Sequence, residues 1–120
     1  MSRFLIHIHT GADNPTKAAL GFLVAATALK EGHQVDLFLA GDGVLLLSED
    51  ALSHLEGKGT GKLRAHFDAI LASGGKFYLS GMSAKARGME ASVLEGKNAE
   101  FAMPDVLVRL AAAADVTLTY

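Results

Sequence analysis

Phe77-Tyr78-Leu79-Ser80-Gly81-Met82-Ser83-Ala84-Lys85-Ala86-Arg87-Gly88 reads as a strand, a tight turn, a polar landing and a basic half-turn closed by glycine. A short apolar run ending in Ser-Gly delivers its last residues to the carboxyl edge of a parallel sheet, where open α/β folds place their ligands. Chemistry in this chain is therefore expected at Ser80 and just after it. The same letters also suit an ordinary turn, with Lys85 and Arg87 as solvated charges.

Working outward, the flanks alternate between strand and helix patterns. Arg3 to His9 is strand-like and dense in apolar residues (Phe4, Leu5, Ile6, Ile8), as suits a strand covered on both faces. His7 and His9 share one side of it, but no third ligand accompanies them, so no metal site is expected. Thr10 to Thr16 forms the first strand-to-helix loop, in which Asn14-Pro15 is a helix start: Asn accepts from free amides and Pro at the first position loses no bond. The amides there offer an anion site in principle. A dinucleotide fingerprint and a P-loop are both absent.

The helix predicted from Pro15 to Glu31 is stopped by Gly32, and His33 to Ala40 is the second strand. Val44 to Leu55 is hardest to assign; the Val44-Leu45-Leu46-Leu47 run is expected as a short helix covering the sheet edge or meeting another subunit. Gly57 to Gly61 is expected as a flexible connection, followed by a helix carrying Leu63, Phe67, Ile70 and Leu71. After the opening stretch, Met89 to Lys97 reads as a short helix and Asn98 to Met103 as a loop. Met103, Val106, Leu107, Leu110, Ala111 and Ala114 recur at helical spacing as a core stripe, and Asp115 to Tyr120 closes as a strand with Val116 and Leu118 as its buried pair. The pattern predicts one domain over residues 1–120, a three-layer α/β/α sandwich with a mainly parallel sheet of four or five strands.

Composition narrows the function. One hundred and twenty residues, half of them apolar, can bury roughly two thirds of their unfolded surface without a staple. A net charge of -2 steers neither nucleic acid nor an anionic membrane. The absence of cysteine removes disulfides, thiolate nucleophiles, persulfide carriers and thiolate metal sites. No cofactor is implied. The start of the chain runs straight into a strand pattern, and Ala18 to Leu29 is too short to span a bilayer, so a cytoplasmic protein is expected.

The order of elements and the opening motif resemble the DsrE/DsrF-like family, which includes the TusD-type sulfur-relay proteins. The likeness is carried by the first strand with its Gly11 to Pro15 loop, Glu31-Gly32-His33, Ser80 to Gly88, and Met103-Pro104 to Val116. Val44 to Gly61 has nothing distinctive. The resemblance implies a strand-end cysteine that carries a persulfide between partners, and homo-oligomers from dimer to hexamer. Here Ser80 stands at that position, and a hydroxyl holds no transferable sulfane sulfur.

What the site retains is a possible cradle for a small anion. Ser80, Gly81, Met82 and Ser83 supply hydroxyls and amides, Lys85 and Arg87 supply charge, and Thr10, Gly11 and Asn14 lie on the neighbouring loop. The expected function is an oligomeric small-anion or small-metabolite binder, or an accessory subunit near sulfur metabolism. Two alternatives stand beside it. One is a structural module without a ligand; the other is an enzyme using Ser80 with a base from His7, His9 or His33, although the Gly-x-Ser-x-Gly nucleophile elbow is missing.

Overall fold

The computed structural model describes residues 1–120. Strand β1 (Arg3–Ile8) leads into helix α1 (Pro15–Lys30) and strand β2 (Gln34–Leu39). A 3-10 helix (Gly41–Leu47), helix α2 (Glu49–His54), the two-residue strands β3 (Glu56–Gly57) and β4 (Gly61–Lys62) and helix α3 (Leu63–Ala72) follow. Strand β5 (Lys76–Ser80), helix α4 (Gly81–Ala86), a 3-10 turn (Ala91–Leu94), strand β6 (Ala99–Ala102), helix α5 (Pro104–Ala113) and strand β7 (Val116–Thr119) complete the chain. The main sheet has the order β6-β5-β2-β1-β7 and every pairing in it is parallel. Helices cover both faces, as the alternating pattern predicts.

Local signals account for the long elements. Asn14 caps α1 by accepting from the Lys17 amide at 3.2 Å, Pro15 opens it, and Gly32 ends it with φ +90°. The helix comes close to the sheet through small residues (Ala18, Ala19, Gly21, Ala25, Ala28); a Cβ on Gly21 would stand 2.8 Å from Ile8 Cδ1.

The two faces are covered very unequally. Ile6, Ile8, Val35, Leu37, Leu39, Phe77 and Leu79 belong to a cluster of 20 buried residues that includes α1 and α3, while the opposite face buries only three, Leu5, Phe38 and Ala102, beneath α5. No residue of α5 is fully buried. The predicted core stripe of α5 is thus a half-exposed one: Val106, Leu107 and Leu110 are partly buried and Met103 is 50% exposed. The reason is geometric, since a single helix crossing a five-stranded sheet has nothing packed on its outer side. Val116 and Leu118 are likewise half-buried, because β7 is an edge strand.

Three other expectations need correction. Asn98 to Met103 contains a strand, β6, which the short Ala-Glu-Phe-Ala sequence does not advertise; pairing with β5 imposes it, beginning with the Phe77 amide donating to the Asn98 carbonyl at 3.0 Å. Met89 to Lys97 holds a single 3-10 turn instead of a helix, pinched between left-handed Gly88 and Gly96. Gly57 to Gly61 is no loose connection but a tight antiparallel hairpin, with Gly59 and Gly61 at φ +79° and +82° supplying the turn. The Val44 to Leu47 run lies, as expected, in a short helix, of the 3-10 kind, in which Val44, Leu46 and Leu47 are buried and Leu45 alone is exposed. No helix is long and apolar enough to cross a membrane.

Candidate functional site at the carboxyl edge of β5

Strand β5 ends at Ser80, and the polar landing that follows it is helical. Ser80 is the N-cap of α4, its Oγ accepting from the Ser83 amide at 3.1 Å. Ser83 Oγ accepts in turn from the Gly41 amide at 2.9 Å, tying α4 to the segment after β2. Arg87, just beyond the helix, sends Nε and Nη2 to Asp42 Oδ1 at 3.1 and 2.9 Å and Nη1 to the Ser83 carbonyl at 3.1 Å. The guanidinium expected to meet a ligand is already paired. Lys85 is exposed and forms no ion pair.

The loop after β1 joins the same line through backbone packing. A Cβ on Gly11 would stand 2.8 Å from the Asp42 carbonyl oxygen, so glycine is what lets the two loops touch. Within the first loop the side chains serve the chain itself: Asp13 Oδ1 accepts from the Gly11 amide at 3.2 Å and Asn14 caps α1. Gly11, Asp42, Arg87, Ser83 and Ser80 therefore run as one connected ridge along the carboxyl edge. Gly81 lies against the neighbouring strand end, 3.5 Å from Met103 Sδ to the position of an added Cβ, and Met82 is 60% exposed beside it.

This edge is also where the chain changes sides. After β5 the connection packs Met89, Val93 and Leu94 on the large core, whereas after β6 the chain packs Val106, Leu107 and Leu110 on the small one. Adjacent parallel strands that send their continuations to opposite faces open a crevice at their carboxyl ends, which is the place such folds use. The main clefts of the surface lie elsewhere and are lined by other residues.

No histidine is hydrogen-bonded to Ser80, whose Oγ meets only the Ser83 amide. His33 sits at the amino end of β2, accepting from the Ser2 amide at 2.9 Å, at the opposite end of the sheet. His7 lies two strands away, opposite Phe38 and thence Tyr78 in register, about 10 Å at the usual strand spacing. It packs edge-on against His9 and Phe38, with ring centroids 4.8 and 5.9 Å apart, and its Nε2 is buried without a partner. Burial, and then the charge of His9, holds the His7 imidazole below the usual histidine range. The unfolded chain therefore binds this proton more tightly than the folded one. Stability from His7 is present above about pH 6.5 and is lost as pH falls through the depressed folded value. Urea unfolding at pH 7.5 and 5.5 is expected to show less of a drop for His7→Phe than for the unaltered protein; equal drops would remove His7 as the cause.

A model of the DsrE/DsrF-like family matches residues 2–120. The chain belongs to that family. Three solved structures share its fold. The ychN protein from E. coli aligns with a TM-score of 0.81 over 100% of both chains at 17% identity. A conserved protein of unknown function, BT1422 from Bacteroides thetaiotaomicron, gives 0.72 at 14% identity, covering 99% of this chain and 95% of that one. MTH1491 from Methanobacterium thermoautotrophicum, also of unknown function, gives 0.72 at 15% identity over 100% of both. At such identities the likeness concerns the fold. No curated protein matches the chain. The DsrE-like sheet thus carries, in this chain, a strand end whose oxygen is built into a helix cap, and no cysteine anywhere.

Proposed function

We propose that this DsrE-like protein is a cytoplasmic accessory subunit, linked to sulfur metabolism by its family, that works by assembling with copies of itself and carries no sulfur on its own side chains. The observation that carries this is Ser80, which occupies the strand end as an N-cap in a chain without a thiol. Oxygen there stabilises the start of α4 but accepts no sulfane sulfur. Assembly is supported by the α5 side of the sheet, where Val108 of the helix is 67% exposed and Met103 at its start 50% exposed. Large apolar side chains so placed on the thinner side of a sheet suit a contact between subunits.

A small anion at the carboxyl edge is a second proposal. Ser80 and Ser83 each accept an amide proton, yet neither hydroxyl donates to another group of the chain, and Lys85 is uncompensated. Those hydroxyl protons, with Gly81 and Met82 beside them and Thr10 on the adjoining loop, are free to turn to an anion.

Light scattering at two concentrations is expected to give a mass above the 12.5 kDa of one chain, and Val108→Asp to return it toward one chain. A monomer at both concentrations overturns the assembly. In a persulfide-transfer assay the unaltered protein is expected to pass no sulfur, and transfer by it would end the accessory role. A thermal shift with sulfate or thiosulfate that disappears in Lys85→Ala supports the anion; no shift removes it.

A further inference from the structure

One of the two largest clefts of the molecule, about 440 Å³, lies away from Ser80, between the loop after β1 and the chain running from the 3-10 helix through α2 into β3. That volume falls in the range of pockets that take small ligands, about 300–1,000 Å³. Its apolar part comes from Ala12, Pro15, Leu45, Leu46, Ala51 and Leu55. Leu45, the one exposed residue of the leucine run, belongs to this lining and gains a reason for its exposure.

The polar part is one-sided. Asp50 and Glu56 supply carboxylates, His54 an imidazole, and no lysine or arginine lines the cleft. Ser48 is spent, its Oγ donating to the Leu45 carbonyl at 2.7 Å and accepting from the Ala51 amide at 3.1 Å. His54 turns Nδ1 to its own helix, 3.0 Å from the Asp50 carbonyl and 3.3 Å from Asp50 Oδ1. Glu56 makes no ion pair; Lys62 faces it across the hairpin, but lies outside the cleft. An apolar trough whose own charged side chains are Glu56, in no ion pair, and Asp50, beside His54 alone, favours a cation over an anion, with Lys62 and Arg64 turned to the adjoining cleft.

We propose that this cleft binds a small organic cation, an ammonium group on an apolar body, with the ammonium at Glu56 and Asp50 and the body against Leu45, Leu46 and Leu55. The site is separate from the carboxyl edge of β5 and opposite in charge preference, so it stands or falls independently of the accessory role proposed above.

Hexylammonium, hexanol and hexanoate, titrated at equal ionic strength into the ¹⁵N-labelled full-length chain, test this directly. Hexylammonium is expected to bind with a dissociation constant of about 1 mM, as befits a ligand of so few atoms, and to shift the amides of Ala12, Leu45, Ala51 and Leu55. Hexanol should bind more weakly and hexanoate not at all. Glu56→Gln is expected to weaken hexylammonium by about two- to fivefold, the scale of an exposed ion pair, without changing hexanol. Ala12→Leu, a change at an exposed position, should fill the cleft and abolish both. Equal binding of hexanoate, shifts centred elsewhere, no response to hexylammonium at ten times that concentration, or an unaltered affinity in Glu56→Gln would each overturn the proposal.

Discussion

Phe77→Ala is expected to destabilise the protein by about 3–5 kcal/mol, the usual cost of emptying a phenylalanine site in a packed core. Phe77 is fully buried on the heavily covered face of the sheet, between Phe22 of α1 and Phe67 of α3, with ring centroids 5.7 and 5.4 Å away. Both helices lose their common contact when the ring goes, and two neighbouring aromatic rings cannot close the gap without leaving their own positions. Small domains have about 5–15 kcal/mol in total, so the variant should lose a large share of its stability and roughly 10–25 °C in Tm. Urea unfolding with an unchanged m-value measures it. A loss below about 1 kcal/mol, the scale of a surface substitution, would show that this core is not close-packed around Phe77.

Gly43→Ala is the second large effect, and it acts through backbone. A Cβ at this position would overlap the Ile8 carbonyl oxygen and stand 3.0 Å from Ile8 C and 3.2 Å from His9 Cα. These atoms belong to the end of a central strand, so they cannot swing aside as a side-chain tip would. Overpacking of this kind costs about 1–3 kcal/mol or more. Because the 3-10 helix then has to lift from β1, the Gly41 amide should also leave Ser83 Oγ, loosening α4. Amide hydrogen exchange is expected to quicken at Gly41 and Ser83 together with the drop in stability. A stable variant with unchanged protection at both would mean that the two segments are not held as tightly as their spacing implies.

Legibility in the sequence followed the range of the forces involved. The helices α1 and α3 and the strands β1, β2 and β5 were readable because each carries its signal within a few residues: an Asn-Pro start, a glycine stop, apolar periodicity of 3.6 or near-continuous apolar strands. β6 was not, since Ala99 to Ala102 has little propensity and becomes a strand only through β5. The hairpin at Gly57 to Gly61 was missed for a related reason, as glycines look flexible until the turn that needs their positive φ is closed. Of the site, the sequence located the ridge, Ser80, Ser83 and Arg87, but not what those side chains hold. Gly41 and Asp42, the partners of Ser83 and Arg87, lie about 40 residues earlier in the chain, and spacing carries no information at that distance. The 440 Å³ cleft had no sequence signal, because the run from Leu45 to Glu56 becomes a wall only where Ala12 and Pro15, about 30 residues earlier, fold against it.

The amino-acid sequence by itself determined two things: an alternating α/β chain, because hydrophobic periodicity is local, and a chain with no thiol of its own, because a missing cysteine is missing in every conformation. Tertiary structure alone decided that one face of the sheet is thickly covered and the other thinly, that the Ser80 and Ser83 hydroxyls are enlisted as acceptors for backbone amides, and that carboxylates gather at the rim of an apolar cleft. Those outcomes depend on which distant groups meet, and meeting is settled by packing rather than by spacing.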